Sequence, residues 1–555
     1  EFPLTRTEPL SIVKTRIIPP TFRRSLLAAG LLVWAIVAMS IDNGHVGVFH
    51  DDGIYLVSAQ AIRDGRGYQL PSRPGNPPPK YPIGFPLALA LALRGMAGPG
   101  SLDRDLLAAR IVVTASGLLF FAAAYRWMRD MRVPPAVATA VVLATAFHQA
   151  TLVGCGCAVF SDLTFCGLTY FLLLMLAGTR KRAPGTAVGT GLASGLLAGA
   201  GYLVRGNGIT LMVATLLDSG RKRRRSWRWA GNVAGMALVL FAVKWVPVSR
   251  VRAVPSGDYG LEMQAGWSSL RAGLAIVITN LAAVLLDFPT RVLLPVTSYS
   301  TPIVRVLREH PLAAIGLRLG LSSLVLLGLI RLARLGRGRA LPAWFHVLAT
   351  MAIFLVWPWT MIMDRFLLGV VPLVLLAFWA GLCLIGQRIA WLRHSRLAPS
   401  RLALGALVVA TVGIACVTAR SVSGFHFGSR QWPGASSRRS LSEALSLIST
   451  RLEPSAVLAA RWPETVYLYT GRQGVPLTED DDILRGRFDR SDRLRLWMDQ
   501  VPGRPFYLLV RGQLEDPALA DRRQAESLAR TNGLELQPFA QTSDGRYALV
   551  RVLRH

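Results

Sequence analysis

Acidic residues, lysine and cysteine are all scarce in this chain of 555 residues. Its 32 Asp and Glu face 62 Lys and Arg, a formal net charge of +30, and only five of the basic residues are lysine. A nucleic-acid-binding surface would gather such charge in one patch or groove. Here the arginines fall in short clusters between apolar runs, a pattern that orients helices in a bilayer, and this argues against a nucleic-acid partner. The five cysteines, Cys155, Cys157, Cys166, Cys383 and Cys416, lie in or beside apolar segments and show neither zinc-site spacing nor a disulfide framework. They read as small packing residues. His50, His148 and His346 stand alone in the sequence, which disfavours a metal site built on histidine. No tandem repeat is evident, and no nucleotide-binding glycine fingerprint. The nearest stretch, "GTGLASG" (189–195), lies inside an apolar run, where small residues serve close helix packing.

What the chain has in abundance is hydrocarbon. It is 52% apolar, in repeated runs near twenty residues long, which defines a polytopic membrane protein with the lipid bilayer as its solvent. Arg6, Lys14, Arg16, Arg23 and Arg24 precede the first run, and no small-residue cleavage site comes after it, so the first span is expected to remain uncleaved. Spans are expected at about 25–41, 106–127, 134–153, 160–178, 186–204, 207–219, 227–248, 312–330, 343–361, 366–386 and 402–419. With these eleven, every inner loop is basic, the N-terminus is cytoplasmic and the C-terminus external. The apolar stretches 83–97 and 272–286 are too short to cross roughly 30 Å of hydrocarbon comfortably. The first reads as a juxtamembrane helix, and a crossing at the second would reverse the sidedness of every later span.

After residue 420 the hydropathy falls and charges of both signs intermix. "SLSEALSLISTRL", "PETVYLYTG", "RLRLWMDQV" and "ADRRQAESLARTNG" read as helices, and "AVLAA", "PFYLLV" and "RYALVRVL" as strands. The fold class is therefore an all-α polytopic membrane domain over 1–419, with about eleven transmembrane helices plus juxtamembrane helices. A small external α/β domain occupies 420–555.

Ionisable residues at the outer ends of spans are costly near hydrocarbon and point to a site or to a paired structural contact. Asp51 and Asp52 open an amphipathic helix in the first external loop, 42–105. Lys80 ends "GNPPPK", Asp162 stands in "FSDLTF", Arg205 in "YLVRGNG", and Asp364 and Arg365 in "WPWTMIMDRFLLG". In this topology all of them face the same side. Each has a plainer role available: helix cap for Asp51, Asp52 or Asp162, snorkelling anchor for Arg205 or Arg365, neutralising partner for Asp364, solvated loop charge for Lys80. Taken together, carboxylates at an aqueous–lipid boundary supply a general base, and Arg and Lys beside them hold a departing phosphate. An external surface has no nucleotide sugars, so a phosphate-linked donor arrives there on a lipid.

The chain resembles the GT-C superfamily of membrane glycosyltransferases, in particular the bacterial relatives of protein O-mannosyltransferases and of the lipid A aminoarabinose transferase. The resemblance runs over essentially the whole length. It is carried by "HDDGIYLVSAQAIRDGRGYQL" and "PPPKYPIGFPLALALAL", "SDLTF", "LVRGNG", "WPWTMIMDRFLLGVVPLVLL" and the C-terminal "VYLYTGR". It implies an inverting transferase in the bacterial inner membrane, with a polyprenyl-phosphate sugar donor and a protein, lipid or glycan acceptor on the periplasmic face. The catalytic set would be Asp51, Asp52 and Asp162, with Asp51 the first choice as base, and the donor phosphate would meet Lys80, Arg205 and Arg365. No cofactor is expected, a divalent metal being the alternative. Where the aminoarabinose-type loop often has an acid before the lysine, this sequence has Pro79, which leaves the sugar open. The competing readings are a non-catalytic GT-C-fold accessory or scaffold subunit with membrane-complex partners, and a transporter. The polar residues gather at one face and not at midplane, where transporters bind.

Overall fold

The computed structural model describes residues 19–41, 46–47, 51–96, 101–156, 158–178, 187–220, 226–243, 263–264, 266–294, 310–335, 340–358, 363–388, 399–426, 433–476, 491–511 and 534–554. The membrane part runs α1 (Pro20–Ser40), α2 (Asp51–Arg63), α3 (Gly84–Gly95), α4 (Leu102–Asp130), α5 (Pro135–Ala146), α6 (Asp162–Gly178), α7 (Ala187–Val204), α8 (Ile209–Gly220) and α9 (Ser226–Val243). It continues with α10 (Leu270–Leu293), α11 (Pro311–Leu335), α12 (Leu341–Val356), α13 (Val371–Arg388) and α14 (Pro399–His426). A helix lies within each of the eleven expected spans, α5 and α8 having only 12 residues each, and Pro opens several of them, where its missing N–H costs nothing. Among the described residues, seven helices are long and apolar enough to cross a membrane. Their outward faces stay apolar and exposed, with Leu312 83% accessible and Val409 and Leu32 also open. Lipid tolerates such a surface and water does not.

One segment differs from expectation. The stretch read as 272–286 extends through a π-turn at Ala283–Asp287 and a last turn carrying Pro289. The result is a 24-residue helix with the length and composition of a span. The wider turn admits Pro289 without breaking the rod.

The glycine stretch at 189–195 does pack closely. α7 and α9 meet along Gly191 and Gly195 on one side and Gly231 and Gly235 on the other, and a Cβ at Gly195 would collide with the Asn232 carbonyl. Close backbone approach of this kind supplies van der Waals contact where no hydrophobic driving force exists between helices in lipid.

Beyond α14 the chain builds α15 (Pro433–Arg451), β1 (Val457–Ala460), α16 (Pro463–Thr470), β2 (Gln473–Pro476), α17 (Ser491–Gln500), β3 (Phe506–Arg511), β4 (Leu534–Gln541) and β5 (Tyr547–Arg554). The sheet order is β2-β1-β3-β5-β4, with β1 parallel to β2 and β3, and β5 antiparallel to β3 and β4. Leu441, Leu445, Ile448 and Val466 fill one face against Leu458 and Tyr507. Trp497, Met498 and Val501 fill the other against Val457 and Leu508. Gly471, in the left-handed region at φ 69°, ends α16. The expected helix "ADRRQAESLARTNG" lies outside the described residues. α16 packs on α2, and Tyr467 and Leu468 join the membrane-side core, so the first loop and the C-terminal domain lie on one face.

Candidate active site

One rim of the bundle brings four distant segments together. α2 presents Asp51 at its first position, α6 presents Asp162 at its first position, Arg205 comes directly after α7, and Arg365 lies in the single turn Met363–Phe366 before α13. Arg365 bridges the two acids. Its Nη2 donates to Asp51 Oδ2 at 3.0 Å and to Asp162 Oδ2 at 3.1 Å, and its Nε reaches Asp162 at 3.4 Å. Arg205 Nη1 donates to the other oxygen of Asp162, and the Tyr81 hydroxyl donates to Asp51 Oδ1. The result is a continuous chain: Tyr81, Asp51, Arg365, Asp162, Arg205. Two aromatic faces steady the guanidinium groups, Phe160 at 3.6 Å from the Arg365 carbon and Phe366 at 4.6 Å from that of Arg205. The arginines therefore anchor acids and do not simply snorkel.

The acids have different surroundings. Asp162 is 1% exposed and holds both guanidinium groups, so it orders the cluster from below. Asp51 is 21% exposed and is the acid open to an incoming group. Asp52 turns away from the cluster and is buried, with Oδ1 accepting the Gly53 N–H at 3.0 Å. Burial pushes its carboxyl up to about 7, only partly offset by the Gly47 and Gly53 backbone. Lys80 stands beside the chain, its Nζ 5.3 Å from the Tyr81 ring centre, joined to the cluster through its neighbour. The side chain of Asp364 is outside the described residues. Among the described residues, no group of three His, Cys, Asp or Glu is placed to hold a metal ion. The carboxylates that do converge already face guanidinium groups, a poor donor set for a divalent ion.

Sequence reasoning missed Tyr81, Tyr55, Ser161 and Phe160. The Tyr55 hydroxyl meets Ser161 Oγ at 3.1 Å, and its ring lies 5.1 Å from that of Tyr81, which packs a floor under Asp51. Burial raises the Tyr55 hydroxyl above its usual range, so it acts as a neutral hydrogen-bonding group. Tyr81 sits inside "KYP" and Phe160 directly precedes "SDLTF", so both lie within or beside the motifs, one or two residues from the charged group that drew attention.

Amphipathic helices on one rim, a helical bundle below and an α/β domain docked on the first loop define a multi-pass membrane protein. No protein-family model matches the chain, and no curated protein matches it in sequence. Solved structures do. The chain is similar to ArnT from Cupriavidus metallidurans in the apo state, with 16% identity over 95% of this chain and 97% of that one, at a TM-score of 0.52. It is also similar to the archaeal oligosaccharyltransferase AglB from Archaeoglobus fulgidus in complex with an inhibitory peptide and a dolichol-phosphate. That match has 12% identity over 95% of this chain and 74% of that one, at a TM-score of 0.53. At these identities the likeness is one of fold.

Proposed function

We propose that the chain is a glycosyltransferase of the bacterial inner membrane that moves a sugar from a polyprenyl-phosphate donor to an acceptor hydroxyl on the external face. The observation that carries this reading is the accessible Asp51 carboxylate, held by Tyr81 and Arg365 at the head of a row of guanidinium groups. The shared fold with AglB, a protein solved with a dolichol-phosphate, supports the donor class.

Asp51 accepts the proton of the acceptor hydroxyl as its oxygen attacks the anomeric carbon. The bond from that carbon to the phosphate oxygen breaks with inversion, and its electron pair leaves with the polyprenyl phosphate. Arg365, Arg205 and Lys80 offset the negative charge that develops there. Asp162 contributes by holding both arginines in place, and buried Asp52 contributes to the footing of α2. Tyr81 and Arg365 each hold one Asp51 oxygen, which fixes the plane of the carboxylate.

The test is Asp51→Asn in the full-length protein. The variant is isosteric and keeps an acceptor for Tyr81. It should bind polyprenyl phosphate as the wild type does while transfer falls by about 10²–10⁴, the range for loss of a general base. Wild-type transfer by this variant removes Asp51 from the mechanism. Wild-type protein that binds the lipid phosphate and never transfers favours the accessory-subunit reading.

A further inference from the structure

The proposed base is the first residue of a 13-residue helix, so whatever fixes α2 fixes Asp51. Much of that fixing comes from the far end of the chain. Just before α2, the Val46 N–H donates to the Tyr469 hydroxyl at 3.2 Å. In its first turn, Gly53 abuts Glu464: a Cβ there would lie 2.8 Å from Glu464 Cβ and 2.7 Å from Gly47 Cα, so a larger residue must displace α2 from both. After α2, Glu464 Oε1 accepts from Arg73 Nε at 2.9 Å, in an ion pair with the two side chains 0% and 3% exposed. The Gly474 N–H donates to the Ser72 carbonyl at 2.7 Å, and Gln473 Nε2 to the Pro71 carbonyl at 3.2 Å. The segments before, within and after α2 are thus fastened to one stretch of the C-terminal domain, 463–474.

A dry Arg–Glu pair is a poor way to gain stability, since apolar residues of similar volume often do as well. It is a good way to fix geometry, because both charges are costly in any other place. Reactive groups lose rate steeply when displaced by an ångström, and Asp51 must reach the acceptor while keeping its 3.0 Å contact with Arg365.

We infer that the C-terminal domain positions the base helix for transfer, with Glu464 and Arg73 as the positioning residues. The inference rests on the reading of Asp51 as base. Full-length Glu464→Gln, Arg73→Lys, Arg73→Ala, Gly53→Ala and Asp51→Asn are compared in lipid nanodiscs. Release of free polyprenyl phosphate from a panel of polyprenyl-phosphate sugars is monitored, with thermal midpoints and hydrogen exchange over 51–63. Glu464→Gln is expected to lower kcat at least tenfold, with the donor KM within about twofold of wild type and faster exchange in α2. Arg73→Lys, which keeps the charge, should retain more turnover than Arg73→Ala. Glu443→Gln, at an exposed contact with Ser543 away from this interface, should leave kcat unchanged. If Glu464→Gln does not fold, Gly53→Ala carries the test together with the exchange of α2, because alanine is the better helix former and a loss of turnover comes from crowding of α2 against Glu464 and Gly47. A folded Glu464→Gln or Gly53→Ala with wild-type kcat and wild-type exchange overturns the inference. An active Asp51→Asn overturns the base assignment whatever Glu464 does, whereas an inactive Asp51→Asn beside an active Glu464→Gln overturns the positioning role alone.

Discussion

Asp51 and Asp52 are adjacent in the chain and opposite in circumstance. One stands 21% exposed between a tyrosine and an arginine; the other is buried with its carboxyl raised to about 7. The sequence shows the pair and cannot say which member faces the site, because that depends on the rotation of α2 against Glu464 and Gly47. The same holds for the arginines: that they share a face is legible from the loop charges, that both hold Asp162 is not. Asp52 leads to a pH prediction. Its native pKa lies above the ordinary aspartate value, so between about 4 and 7 the folded protein holds more protons than the unfolded one, and stability falls as pH rises through that window. Asp52→Asn removes this contribution, worth at most about 4 kcal/mol for a shift of this size. Denaturation midpoints at pH 5 and pH 8 should therefore converge in the variant relative to wild type. Parallel pH dependences in the two proteins contradict the buried, raised carboxyl.

Helices read well from this sequence because the bilayer imposes one length and one periodicity on them. The ends read less well. α10 outruns its expected limit by way of a π-turn, which has no sequence signature. In the C-terminal sheet, β2 and β4 are the strands not foreseen. β2 is four residues, "QGVP", and β4 carries Pro538 at a register shift, where an edge strand accommodates it. The glycines at 191 and 195 show the opposite case, a packing motif visible in the sequence whose partner, α9, only the structure supplies. Gly195→Val should separate α7 from α9 and cost about 1–3 kcal/mol, as overpacking does. The measurement is thermal unfolding in detergent, and an unchanged midpoint would show that this crossing tolerates a side chain.

At the scale of the whole molecule, arginine-rich loops between spans and acid-bearing span ends foretell a membrane domain whose ionisable residues gather at one face. The docking of the C-terminal domain against the first loop makes that face a shared one. Neither half holds the candidate site alone: the bundle supplies Asp162, Arg205 and Arg365, the first loop supplies Asp51, Lys80 and Tyr81, and 463–474 holds the loop. Nothing in the linear sequence links Arg73 to Glu464, 391 residues apart. The central claim, that this rim breaks a sugar–phosphate bond on a lipid, is tested most directly by incubating the purified full-length protein with polyprenyl-phosphate sugars and measuring free polyprenyl phosphate. Release from at least one donor by wild type, and none by Asp51→Asn, is the predicted result. Equal release by both proteins, or none from any donor, would contradict it.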